Sequence, residues 1–185
     1  MIEHGALARN NGWRVACWLG AAALLAVPAV AMRFTGEVKW TAFDFAFFAG
    51  MLLMVLLGYE LFARNGRGAY RLGGGVALLA AFLLIWITGA VGIIGDEGNP
   101  ANLLYLGVLL VAFGGALLTR LRPSGLAWTM TAAAGVQLAI GIIAVAAHLG
   151  TDGPIWPRDV IGLTGMFTLL WLAAAALFRK AATVR

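Results

Sequence analysis

The chain has 185 residues, of which 62% are hydrophobic and only 11% are charged, and it carries a net charge of +5. A soluble domain is roughly 45–50% apolar; this chain has too few polar side chains to cover a water-exposed surface, so lipid is the expected solvent. One cysteine, Cys17, excludes an intrachain disulfide and a cysteine-based metal site, and the positive charges lie between apolar runs, where they read as topology signals and not as a nucleic-acid footprint.

A helix that crosses a bilayer needs about 20 mostly apolar residues. In chain order, six stretches come close: 13–32, 45–63, 72–95, 103–119, 126–149 and 160–178. The expected fold is all-α, a single integral membrane bundle (1–185) of about six transmembrane helices. The first run follows Arg9 and Arg14 and contains Ala29-Val30-Ala31, which resembles a signal-peptidase site; its retention as a span is the expectation. The second starts at Asp44, where the helix dipole favours a carboxylate. It ends with Glu60 four residues before Arg64, a spacing that suits pairing on one helix face. Gly73-Gly74-Gly75 opens the third run without a preceding strand, so it is no phosphate loop. Asn99 and Pro100 open the fourth as a cap and a first-turn proline. The breaks are short and carry turn chemistry, as in Asn65-Gly66-Arg67-Gly68 and Arg122-Pro123-Ser124-Gly125.

Lysine and arginine set the orientation. With the N-terminus in the cytoplasm, ten of the 13 basic residues fall on the inner side: Arg9, Arg14, Arg64, Arg67, Arg71, Arg120, Arg122, Arg179, Lys180 and Arg185. Only Arg33, Lys39 and Arg158 fall outside. An even number of spans returns the C-terminus to the cytoplasm. The acids run the other way: Glu37, Asp44, Asp96, Glu97, Asp152 and Asp159 lie at or beyond the outer ends. Trp40 and Trp156 suit the outer interface and Trp13 and Trp128 the inner one, whereas Trp86 and Trp171 lie deeper, between helices.

Polar groups inside apolar runs are the informative ones, because lipid would penalise them. In the fifth run Gln137, Gly141, Ala144 and His148 share one face. Thr164, Thr168, Trp171 and Ala175 do so in the sixth, and Ala81, Thr88, Gly92 and Gly95 in the third. One reading is an outward-opening pocket lined by Gln137, His148, Thr88, Thr164, Thr168 and Trp171. The other is plain helix packing, with small residues at the seams and threonines bonded to their own helix. His148 and Asp152, with Asp96, Glu97 and Asp159, make an outer acidic cluster that suits a hard or borderline cation; a histidine at a helix end also reads simply as an interfacial polar residue. His4 and His148 fall on opposite sides, which disfavours a bis-histidine haem, and no lysine lies within a span. No cofactor is expected. The hydrolase, phosphate-loop, zinc-protease and paired-cysteine motifs are absent from the sequence.

Trp40-Thr41 with Asp44-Phe45, the run Ala90-Val91-Gly92-Ile93-Ile94-Gly95 leading into Asn99-Pro100-Ala101-Asn102, and the closing Leu170-Trp171 and Phe178-Arg179 resemble a group of small multi-pass inner-membrane proteins of proteobacteria that have no assigned activity. The resemblance implies a bacterial inner-membrane location and supplies no catalytic residues. Size and span number are also similar to the substrate-binding subunits of energy-coupling vitamin transporters, a likeness of architecture alone. Three functions are therefore carried forward. The lead is a non-enzymatic protein that binds or moves a small solute or ion through the pocket. The second is an accessory subunit docked to a membrane-protein partner. The third is an enzyme acting on a lipid or quinone with His148 as acid–base group, which lacks an evident nucleophile–base pair. The expected partners are the bilayer and a small ligand or membrane protein, and no nucleic acid.

Overall fold

The computed structural model describes residues 3–64, 68–153 and 155–183. Arg67 and Arg185 lie outside the described residues, as do the side chains of Glu3, His4, Arg9 and Trp13. Every regular element among the described residues is helical, and six helices are long and apolar enough to cross a membrane. Residues up to Glu60 form one compact unit and those from Leu61 a second.

The first unit holds α1 (Glu3–Phe34) and most of α2 (Ala42–Ala63). Thr41 and Asp44 start α2 as a reciprocal cap. The Asp44 carboxylate accepts from the Thr41 amide at 2.6 Å and from its hydroxyl at 2.8 Å, while the Thr41 hydroxyl accepts from the Asp44 amide at 3.3 Å. This satisfies amides that the first helical turn leaves open. The Trp40 ring closes over the same turn, edge-on to Phe45 and Phe48 at 5.2 and 5.5 Å. Towards the other end, the Arg14 guanidinium grips Glu60 as a fork, with Nε 3.2 Å from one carboxylate oxygen and Nη2 2.8 Å from the other. Glu60 thus has a partner 46 residues away that helical spacing does not reveal.

The second unit contains α3 (Gly68–Ala90), a 3-10 turn (Pro100–Leu104) running into α4 (Tyr105–Leu118), α5 (Pro123–Ala146) and α6 (Arg158–Thr183). α5 packs along α6, α3 takes another side of α6, and α4 takes another side of α5. The helices therefore run α4–α5–α6–α3 as an arc whose two end members, α3 and α4, barely touch although they are consecutive in the chain. Glycines permit the close crossings. A methyl at Gly115 would strike Thr129, and one at Gly141 would strike Thr164. At the basic end, Gly73 and Gly74 seat the rings of Phe178 and Phe62, which form a trio with Tyr70 at centroid distances of 5.4 to 5.8 Å. The Tyr70 hydroxyl donates to the Leu121 carbonyl at 2.7 Å and ties α3 to the α4–α5 turn.

Two helix ends differ from the expectation. α3 stops at Ala90 and not at Gly95, because Gly92 and Gly95 adopt φ of +82° and +73°. Val91 to Ile94 are as apolar as a helix interior, so hydropathy cannot mark the break; Ile93 and Ile94 are buried as loop, not as span. α5 stops at Ala146, and His148 lies beyond it in the left-handed region at φ +54°. The Leu149 amide donates to the Ala144 carbonyl at 2.8 Å and the His148 amide to Val145 at 3.2 Å. This pair of bonds is the Schellman ending, with His148 at the position glycine usually takes.

Candidate functional site

Since α3 and α4 diverge, a cavity of about 440 Å³ opens between them at the acidic end of the second unit. Its apolar wall includes Leu84, Ile85, Leu106 and Leu109, and its rim includes Glu97 and Asn99. Thr88 and Tyr105 also line it. The volume lies within the range typical of small-molecule sites.

The rim is built on one side chain. Asn102, buried at the start of the fourth helical run, accepts from the amides of Ile93 and Ile94, each at 2.9 Å. Its own amide donates to the carbonyls of Ile94 and Asp96 at 3.2 and 2.7 Å. A non-helical segment buried in an apolar setting must satisfy its backbone somewhere, and here Asn102 serves in place of the missing helical ladder. Asn99 caps the next turn by accepting from the Ala101 amide at 2.9 Å, with Pro100 at the first helical position.

Outside the cavity lining, a seam of polar side chains runs along α5 and α6. Gly141 sits against Thr164. One turn further in, helical spacing brings Gln137 level with Thr168 across the antiparallel pair, and Trp171 lies a turn beyond. Gln137 is 0% exposed, Trp171 1% and Thr164 5%. Both polar atoms of Gln137, the indole N–H of Trp171 and the hydroxyls of Thr164 and Thr168 are buried without a hydrogen-bond partner. Tyr105 links the two: it lines the cavity, is itself 1% exposed, and its buried hydroxyl lies beside that of Thr164. The Thr88 hydroxyl on the cavity wall is likewise buried and unpartnered.

These threonines differ from others in the same unit. Thr119 and Thr131 bond to carbonyls four residues back at 2.8 Å, the usual way a helix absorbs a hydroxyl. Thr88, Thr164 and Thr168 do not. A buried polar group without a partner costs roughly 1–3 kcal/mol, so a run of them along one seam sets it apart from ordinary packing.

Of the residues singled out in the sequence, Thr164, Thr168, Gln137 and Trp171 meet along the α5–α6 seam, and Thr88 lies on the cavity wall. His148 is not among them: it is exposed at the end of α5, with its ring stacked on Trp156 at 5.6 Å. Trp156 in turn donates to the Leu149 carbonyl at 3.1 Å. Asp96, Glu97 and Asp152 are exposed, and Asp159 accepts from the neighbouring Val160 amide at 2.8 Å. Among the described residues no three histidine, cysteine or acidic side chains converge as a metal site would require. Tyr105 and Asn102 carry no role in the sequence reading. Their signal was available, since each places a polar group in the apolar run that follows Asn99-Pro100.

No protein-family model matches the chain, and no curated protein or solved structure is similar to it.

Proposed function

We propose that this chain is a multi-pass protein of the bacterial inner membrane, with both termini cytoplasmic, that binds a small solute in the cleft between α3 and α4 and acts as a carrier or receptor for it, not as an enzyme. The observation that carries the reading is Tyr105, a buried residue whose ring walls a cavity of about 440 Å³ and whose hydroxyl adjoins a seam of unpartnered polar groups. A cleft with an apolar wall and a few convergent polar groups is the usual form of a ligand site. Six of the seven described basic residues of the second unit, Arg64, Arg71, Arg120, Arg122, Arg179 and Lys180, lie at the helix ends opposite the cleft, and Arg158 alone lies at the cleft end, a bias that under the positive-inside rule makes the cleft outward-facing.

Gly89 supplies the test. It lines the cavity, and a Cβ added there meets nothing within 4 Å, so a larger side chain can be started at this position without a backbone clash, and Gly89→Trp is the variant expected to obstruct the cleft. Native mass spectrometry of the wild type, purified in mild detergent, is expected to show a bound small molecule that is missing from Gly89→Trp. Identical spectra for the two proteins overturn the reading. The direction of opening is tested with Gly98→Cys, at the exposed rim, in a Cys17→Ser background. A membrane-impermeant maleimide added to spheroplasts is expected to label it from outside.

A further inference from the structure

Resting on the cleft as a binding site, we infer its ligand class: a small organic cation, an ammonium group on an apolar body, with the ammonium at Glu97 on the rim and the body between Leu84, Ile85, Leu106 and Leu109. The walls set the body. Leucine and isoleucine side chains gain from covering apolar surface and offer a polar chain nothing. On the α4 side the lining runs from Asn102 to Leu109, about 10 Å along the helix. A body of that length is an aryl ring with a short chain, well short of a phospholipid tail.

The rim sets the head group, because most of its polar capacity is already spent. The Asn102 oxygen accepts two backbone amides, and its own two amide protons go to two carbonyls. The Asn99 oxygen accepts from the Ala101 amide. Glu97 is exposed, and among the described residues of the lining it is the only charged one. The charges around it have mostly the same sign. The α3–α4 and α5–α6 loops touch, since a Cβ at Gly150 would strike the Gly95 amide. This contact gathers Asp96, Asp152 and Asp159 at the end where Glu97 lies, with Arg158 as the opposing charge. Such a field draws cations towards the opening and repels anions. A metal ion would need several ligands, and among the described residues none converge. An ammonium needs one carboxylate, with which it forms a charge-assisted hydrogen bond, and its body then supplies what the walls require.

The test uses the full-length protein in detergent and three probes that share one body: 4-phenylbutylamine, 4-phenylbutanol and 4-phenylbutyrate. Each is measured by equilibrium dialysis at neutral pH and low ionic strength, with protein-free micelles as the blank. An exposed ion pair changes affinity only a few-fold. The amine is therefore expected to bind saturably and about fivefold more tightly than the alcohol, and the carboxylate more weakly than either. Glu97→Gln is expected to bring the amine down to the level of the alcohol, as added salt does in the wild type. Asp152→Asn, at the same end but outside the lining, is expected to change amine binding by less than twofold. Equal binding of the three probes, a preference for the carboxylate, or an amine preference that survives Glu97→Gln overturns the inference. If Gly89→Trp strips a co-purified molecule but that molecule is an anionic or uncharged lipid, or the amine does not bind saturably, the cleft stands as a binding site and the ligand class falls. If Gly89→Trp retains the wild-type molecule, the cleft itself falls.

Discussion

Gly141 on α5 and Thr164 on α6 meet at a point where no side chain fits between the two helices: a methyl on Gly141 would collide with the Thr164 hydroxyl, its methyl and its Cβ. The crossing fixes how closely the two helices approach, and with it the height at which Gln137 and Thr168 face each other. Gly141→Ala is expected to destabilise the protein by about 1–3 kcal/mol, the usual cost of overpacking. Thr164→Ala in the same chain should return part of that loss. Thermal unfolding in detergent of the two single variants and the double variant measures it, and strict additivity would place the collision elsewhere.

Asn102 should be the least replaceable polar residue of the acidic end. Asn102→Ala strands the amides of Ile93 and Ile94 and the carbonyl of Ile94, while the Asp96 carbonyl keeps the Asn99 amide at 3.2 Å. At roughly 1–3 kcal/mol for each buried group left unpaired, the expected loss is about 3 kcal/mol or more. Hydrogen exchange is expected to rise across 91–99 while the α5–α6 pair stays protected.

Gln137 should weaken the fold it sits in. With both polar atoms buried and unpartnered, its replacement by leucine removes a penalty and retains the volume. Gln137→Leu is expected to unfold later than the wild type, with a gain of about 1–2 kcal/mol. A stability cost of this kind is common at functional sites. An earlier unfolding transition would mean that the carboxamide has partners within the core.

His148 is expected to be dispensable. It occupies a left-handed position at φ +54°, and glycine meets that geometry without steric cost. His148→Gly should leave thermal stability unchanged or raise it by up to about 1 kcal/mol, with the co-purified molecule still bound. A loss of binding in a folded His148→Gly protein would return this residue to the site.

The positions of the spans were legible because apolar length is a property of the sequence alone. Their ends were less so. Val91-Gly92-Ile93-Ile94 reads as membrane helix because hydropathy cannot separate a buried loop from a buried turn of helix. Only the positive φ at Gly92 and the carboxamide of Asn102 tell them apart. The polar stripes on the fifth and sixth runs were visible as helical spacing, but their meeting is a matter of helix packing that no single stripe specifies. His148 fitted its stripe by number and left it because the helix ends two residues earlier. The Arg14–Glu60 fork joins residues too distant in the chain for any local rule. Tyr105 was legible as a polar group in its apolar run, but that its ring would wall a cavity depends on how α3 and α4 diverge.

Asn102 binds the 91–99 segment to the foot of α4, although that segment continues from α3. The segment is therefore mechanically a part of the α4 hairpin. A tilt of α4 would therefore carry the rim with it and leave α3 seated on α6, changing the width of the cleft without unravelling any backbone.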